Sequence, residues 1–353
     1  MFGERRIVGA VVGCLLLLAA VNRYWTRLGS GSTRQRVILI QDGGIDDISA
    51  MVVLLGAERT MDLVAVLVQP ADSYEDTAVL STIKTLDALG ATNVIVASSG
   101  NAGENHFPRV WRQQSDRVAD VLQSMELPES THPRSVANLA PTELLGKLLR
   151  EQPHVIVCTA PLTYLAQALR VDPSIASNIE HVYIMGGAAK VEGNVENAPL
   201  AEWNFYNSPD DARAVIHSAL SERITLVGLD VTRYLPVNQP LTKDGRYLGD
   251  LLLEQSKDGY LASTIAFHVW NVVLKDKDAY EAYHLWDTLT AVVAIKPDVI
   301  STKKMCVRIN TSAPNLGQVE VMKEGKSNCT SLNVGVSVNK PHFAKVFLNA
   351  LRH

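Results

Sequence analysis

Between residues 37 and 229 the chain repeats one pattern. A short apolar run ends in a turn rich in glycine, proline or acid, and a longer stretch with apolar positions at helical spacing follows. The apolar runs at 37–41, 63–68, 94–97, 155–159, 181–185 and 224–229 predict strands, and their near-continuous apolar character suits burial on both faces. Ser208-Pro209-Asp210-Asp211 marks a helix start before 212–219, and residues 249–298 read as helical. Residues 304–337 then predict two or three antiparallel strands around Pro314-Asn315-Leu316-Gly317. Strand–helix alternation of this kind predicts an α/β fold: a mostly parallel, Rossmann-like open central sheet with helices on both faces, and short antiparallel strands near the C-terminus. No internal repeat interrupts the pattern.

The first residues break it. Arg5-Arg6 precedes an uncharged stretch, 7–21, that is shorter than the roughly 20 apolar residues a membrane span needs. Residues 1–28 are expected to be a signal peptide, with Ala19 and Ala20 near a cleavage point, or an uncleaved signal anchor with Asn22-Arg23-Tyr24-Trp25 at the membrane interface. A Ser/Gly/Thr linker at 29–35 leads to one domain, 36–353. The expected destination is the secretory pathway, with the domain outside the cytoplasm, secreted or tethered to a membrane. Two acceptor triplets for N-glycosylation agree with that route: Asn310-Thr311-Ser312 and Asn328-Cys329-Thr330. Of four cysteines, Cys14 lies in the leader and Cys158 in a predicted strand, which leaves Cys306 and Cys329 as a candidate disulfide.

Composition narrows the function classes. Of 353 residues, 47% are hydrophobic and 20% charged, enough apolar material for a large core. The net charge of −4 and the lack of a basic stripe argue against a nucleic-acid partner; Lys303-Lys304 is a pair and not a patch. No CxxC spacing occurs, and His106, His154, His181, His217 and His268 lack metal-ligand spacing, so zinc is not expected.

The segment Val37-Ile38-Leu39-Ile40-Gln41-Asp42-Gly43-Gly44-Ile45-Asp46-Asp47 carries the strongest chemical signal. Three carboxylates around one strand-to-helix turn repel one another unless a cation sits among them, and hard divalent cations take several such oxygens at once. The plainer reading is that Asp46 and Asp47 cap the helix. Ligand sites in open parallel sheets lie at the carboxyl ends of the strands. Four further polar clusters fall at such ends or at a helix start: Asp72; Thr159 to Thr163; Met185-Gly186-Gly187 leading to Asn194 and Ala201-Glu202-Trp203-Asn204; and Trp286-Asp287-Thr288.

Together these segments resemble the inosine–uridine nucleoside hydrolase family, especially its purine-selective, inosine–adenosine–guanosine-preferring branch. The likeness runs from about residue 36 to the C-terminus. It rests on the last three carboxylates of a DxDxxxDD turn (Asp42, Asp46, Asp47), the FPxxW stretch Phe107 to Trp111, the AEWN stretch Ala201 to Asn204, and the pair Trp286-Asp287. The resemblance implies Ca2+ held by Asp42, Asp47, Asp287 and the Thr159 carbonyl, with Asp42 as general base. It implies ribose contacts from Asp46, Asn194, Glu202, Asn204 and Asp287. Trp111 and Trp286 would sandwich the purine, Asp72 would lie near the base, and Gly186-Gly187 would approach the nucleoside pocket. The implied activity is hydrolysis of purine ribonucleosides to base and ribose, in purine salvage, by a homo-oligomer with a dimer favoured.

One position departs from the family turn: its first Asp is Ile40 here. That leaves open a catalytically weak nucleoside-binding protein, while a nonspecific purine/pyrimidine hydrolase is disfavoured by the tryptophan pair. The same isoleucine excludes a haloacid-dehalogenase-type phosphatase, which needs a nucleophilic Asp at position 40.

Overall fold

The computed structural model describes residues 34–352 apart from 101–102, 129–136, 324 and 326–327. The expected signal segment, 1–28, and most of the linker lie outside the described residues. Residues from Gln35 onward form one compact unit.

Six parallel strands build its centre: β1 (Gln35–Gln41), β2 (Met61–Val68), β3 (Ile95–Ser98), β4 (His154–Cys158), β5 (Ile179–Ile184) and β6 (Ile224–Leu226). Each matches a predicted apolar run. The sixth stops early because a helical turn, Leu229–Thr232, begins after Gly228. Three more strands, β7 (Ile300–Ile309), β8 (Val319–Met322) and β9 (Thr330–Val338), occupy the region expected to be antiparallel. They extend the main sheet instead of forming a separate one. β9 lies parallel to β6 and antiparallel to β7, which in turn pairs antiparallel with β8. The sheet order is β3-β2-β1-β4-β5-β6-β9-β7-β8.

Side-chain alternation along the central strands explains why two apolar faces are needed. Val37 and Leu39 of β1 join one core cluster, with Val155 and Val157 of β4; Ile38 and Ile40 join the other, with Ile156 and Cys158. Helices cover both. On the first face, the helix Ile45–Gly56 (α1) follows the acidic turn, while Leu261–Leu274 and Lys340–Ala350 pack over the same cluster. On the second face, Pro141–Glu151, Thr163–Val171 and Pro209–Ile216 do the same. Four further helices matter for the site: α2 (Arg109–Ser124), α3 (Trp203–Asn207), α4 (Lys277–Ala282) and α5 (Trp286–Ile295).

Chain order fixes where a ligand would go. From β1 the chain moves outward through β2 and β3, then returns to place β4 on the other side of β1. The connections therefore diverge between β1 and β4, and that switch point opens a crevice above their carboxyl ends. Asp42 follows β1 and Thr159 follows β4. At the far edge, Cys306 of β7 and Cys329, just before β9, form a disulfide.

Candidate active site

A cavity of about 550 Å³ opens above the switch point. Asp42, Asp46, Asp72, Trp111, Thr159, Asn194, Glu202, Asn204, Trp286 and Asp287 all line it, so the structure gathers segments spread over 246 positions of sequence. Of the expected catalytic, sugar-binding and metal-binding residues, only Asp47 is not at the cavity wall; it is fully buried.

The turn after β1 is built for this convergence. Gly43 takes φ +84°, a left-handed conformation that only glycine adopts without strain, and a Cβ there would come within 2.9 Å of the Ser73 Cβ. Gly44 is the point where three carboxylates meet. A Cβ on it would lie 2.8 Å from Asp72 Oδ2, 3.1 Å from Asp47 Oδ2 and 3.7 Å from Asp42 Oδ1. The capping role read from the sequence is real for Asp47: its Oδ2 accepts the Gly44 N–H at 2.7 Å, within the first turn of α1. Its Oδ1 accepts the Thr159 hydroxyl at 2.5 Å, tying the start of α1 to the end of β4.

Two pairs of acidic residues lie close together at the site. Asp42 and Asp47 crowd the same turn around Gly44, and Asp46 accepts the Asp287 N–H at 2.8 Å. Asp42, Asp72 and Asp287 are held well above the ordinary carboxylate range, first by burial and then by neighbouring acids. Burial likewise raises Asp47 and carries Asp46 up to about 6, the latter against the opposing pull of its hydrogen bonds. A cation among these groups would relieve the same repulsion. The donors are all oxygen, as a hard ion prefers, and the Thr159 carbonyl is held at the site by Asn204 Nδ2 at 3.0 Å. Among the described residues no three His, Cys, Asp or Glu side chains form a ready-made metal cage, the Asp42, Asp47 and Asp287 set included.

Other site residues are committed more to the protein than the resemblance implies. Glu202 caps α3: its oxygens accept the N–H groups of Asn204 at 2.9 Å, Gly187 at 2.8 Å and Phe205 at 3.3 Å, yet burial still lifts its carboxyl to about 7. Asn204 gives its amide nitrogen to the Thr159 and Met185 carbonyls, leaving a buried, unpartnered Oδ1 at the cavity wall. Asn194 Oδ1 accepts the Trp203 N–H at 3.1 Å, so its amide nitrogen is the end left for a ligand. The Gly186-Gly187 pair comes close to the cavity without lining it, the Gly187 N–H reaching the cavity-lining Glu202. Its small size serves close packing on the Phe205 ring, which a Cβ on Gly186 would meet at 2.5 Å.

Aromatic side chains make the outer walls. Trp111, on α2, stands edge-on to Trp203 at 5.6 Å and is 39% exposed, while Trp286, opening α5, packs on Tyr283 at 4.7 Å and His284 at 5.4 Å. An Arg117–Asp276 ion pair, 3.5 Å, joins α2 to the residue capping α4 at the rim of the same cavity. Asp72 receives the Ser115 hydroxyl from α2 at 3.2 Å, and its other oxygen has no partner.

Tyr283 and Ser115 are the residues that sequence reasoning passed over. The Tyr283 hydroxyl donates to Asp46 Oδ1 at 3.2 Å, and the Asp287 N–H donates to Asp46 Oδ2 at 2.8 Å, so Asp46 is fixed from the Trp286 side of the cavity. The only signal in the sequence was position: Tyr283 lies three residues before Trp286, and Ser115 one helical turn after Trp111.

Residues 37–345 match the family model described as inosine-uridine preferring nucleoside hydrolase. The pyrimidine-specific ribonucleoside hydrolase RihA of Shigella boydii is 26% identical over 334 residues, covering 90% of this chain and 98% of that protein. Uridine nucleosidase 1 of Arabidopsis thaliana is 30% identical over 298 residues, covering 82% of each. Among solved structures, the inosine-uridine preferring nucleoside hydrolase from Bacillus anthracis superposes with a TM-score of 0.75 at 26% identity, over 90% of this chain and 99% of that one.

Proposed function

This chain belongs to the inosine-uridine preferring nucleoside hydrolase family, and from that premise we propose that it cleaves purine ribonucleosides to free base and ribose with the help of a calcium ion. The observation that carries the reading is the meeting, in one cavity, of four buried carboxyl groups (Asp42, Asp46, Asp72 and Asp287) with two indoles from different elements. Ribonucleoside N-glycosidic hydrolysis follows from the family; the purine preference and the calcium are our own extension.

Asp42, Asp47, Asp287 and the Thr159 carbonyl would hold the ion. When bound, calcium supplies positive charge that makes nearby water more acidic and attracts sugar hydroxyls. Asp42 takes a proton from the water that adds to C1′. Asp46, oriented by Tyr283 and the Asp287 N–H, accepts from a ribose hydroxyl; Asn194 and Asn204 offer the amide nitrogen and the unpartnered Oδ1 described above. These contacts gain most as the sugar acquires oxocarbenium character, so they favour the transition state over the bound substrate.

The departing purine needs a proton. No histidine stands next to Asp287; Trp286 does, with His284 turned against the indole. Trp111 and Trp286 stack on the base and favour its protonated, cationic form, and the unpartnered oxygen of Asp72 lies on the same cavity wall. Ile40 does not remove a liganding group. It is fully buried in the apolar cluster beneath the turn with Cys158 and Leu67, so the site lacks a backing acid but keeps Asp42.

A second reading has its own support, since the relatives above are named for pyrimidine or uridine substrates. Incubation with inosine or uridine in calcium, followed by chromatography of products, separates the two. Hypoxanthine and ribose from inosine alone support the purine reading; uracil release at a comparable rate supports the second; saturable binding without product would leave a nucleoside-binding protein. A homodimer working outside the cytoplasm completes the proposal. Among the described residues no helix is long and apolar enough to cross a membrane.

A further inference from the structure

The far edge of the sheet carries a second depression, about 630 Å³, that shares no lining residue with the cavity above β1 and β4. Both asparagines of the two acceptor triplets, Asn310 and Asn328, line it. Both also fall inside the loop closed by the Cys306–Cys329 disulfide, and Cys329 is the middle residue of the second triplet. A disulfide between strands points to folding in an oxidising compartment, where N-glycosylation also takes place.

The two acceptors differ in how far folding engages them. Asn310 lies within the β7–β8 hairpin, half-buried. Its N–H donates to the Gln318 carbonyl at 3.0 Å and its carbonyl accepts the Gly317 N–H at 2.8 Å. Its side-chain nitrogen, the atom that would take the sugar, donates to Gln318 Oε1 at 2.9 Å and reaches Glu320 Oε2 at 3.4 Å. Glu320 is in turn paired with Arg308 across the same hairpin, at 2.5 Å. These partners are only eight to ten residues away, and hairpins close in about 1–10 μs, far faster than a ribosome adds residues. Asn328 is exposed, in a turn before β9.

We propose that Asn328 is an N-linked glycan acceptor and that Asn310, with the same triplet pattern, is not. The Asn328 side-chain nitrogen forms the bond to the anomeric carbon of a lipid-pyrophosphate-linked oligosaccharide. The bond from that carbon to the pyrophosphate oxygen breaks, the lipid pyrophosphate leaves with the electron pair, and one amide proton is lost. Attached there, the glycan stands over the β7–β8 depression and leaves the nucleoside cavity open. The inference is independent of the substrate reading, because neither asparagine belongs to that site.

The full chain, expressed in a eukaryotic cell with a secretory pathway, is tested by peptide-N-glycosidase F digestion and by mass spectrometry of tryptic peptides. A single glycan's mobility shift is expected, lost in Asn328→Gln, retained in Asn310→Gln, with aspartate replacing asparagine at 328 after enzymatic release. Thr330→Ala, which leaves the asparagine in place but removes the acceptor hydroxyl, is expected to abolish the shift as well. Occupancy at Asn310, or an unmodified Asn328 in protein whose Cys306–Cys329 bond is intact, would overturn the proposal.

Discussion

In the proposed function Asp42 is the residue on which the chemistry turns, since it lines the crevice after β1 and has no backbone duty comparable to that of Asp47. Asp42→Asn keeps the shape and removes the base. The expected loss in kcat is about 10²–10⁴-fold with the thermal midpoint little changed, measured by steady-state kinetics beside a melting curve. An unchanged kcat would move the base elsewhere. Trp286→Ala is expected to lower kcat/KM for inosine about 30-fold, corresponding to the roughly 2 kcal/mol of a desolvated cation–π contact, while uridine turnover changes far less. Equal losses for both substrates would assign Trp286 to packing. At this scale the sequence was readable where acids and tryptophans cluster in short motifs. It was nearly silent where a residue acts through a partner: Tyr283 fixes Asp46 from 237 positions away, and only its place three residues before Trp286 points to the site. Glu202 and Asn204 were readable as site residues, but their heavy engagement with backbone groups follows from the geometry of α3.

Elements were legible where period and punctuation agree. The buried runs of β1, β2, β4 and β5 stand out because both faces of a parallel strand are covered, leaving no polar alternation to confuse them. The end of β6 was not legible, since Val227 and Leu229 are as apolar as the strand and only tertiary packing makes a turn of Gly228. Pairing of β9 beside β6 was also hidden, because a strand's apolar pattern does not name its neighbour. The disulfide pins this last part of the sheet. Replacing Cys306 and Cys329 together by serine opens a loop of sequence separation 23 and is expected to cost about 3 kcal/mol, seen as a fall in denaturant midpoint with calcium and substrate binding retained. Loss of calcium binding in that variant would show that the sheet edge and the cavity are coupled.

For the molecule as a whole, buried acids make stability depend on pH and on the ion. Asp46, raised to about 6, and Glu202, raised to about 7, bind protons more tightly folded than unfolded, as do Asp42, Asp72 and Asp287. For Asp46 and Glu202 that contribution to stability is therefore full below about pH 4, the unfolded range, and is lost as pH rises through 6 to 7, and the other three act in the same direction. Metal-free protein is expected to melt at a lower temperature at pH 7.5 than at pH 5. Calcium at a hundredfold excess over its Kd should restore about 2.7 kcal/mol at pH 7.5 and much less at pH 5, where protons compete for the same oxygens. A melting temperature indifferent to calcium at pH 7.5 would contradict the cation site. Fold class and the meeting of five chain segments at one rim could be read in advance, because the switch point of a parallel sheet is set by strand order. The precise walls of the cavity could not, since α2 and α4 are joined there by an Arg117–Asp276 contact that neither segment reveals alone. The most direct measurement is kcat/KM for inosine and for uridine on one preparation, in calcium and after chelation. Inosine is expected to lead by about tenfold or more, with both activities lost on chelation and restored by calcium; uridine leading, or turnover that survives chelation, would contradict the account.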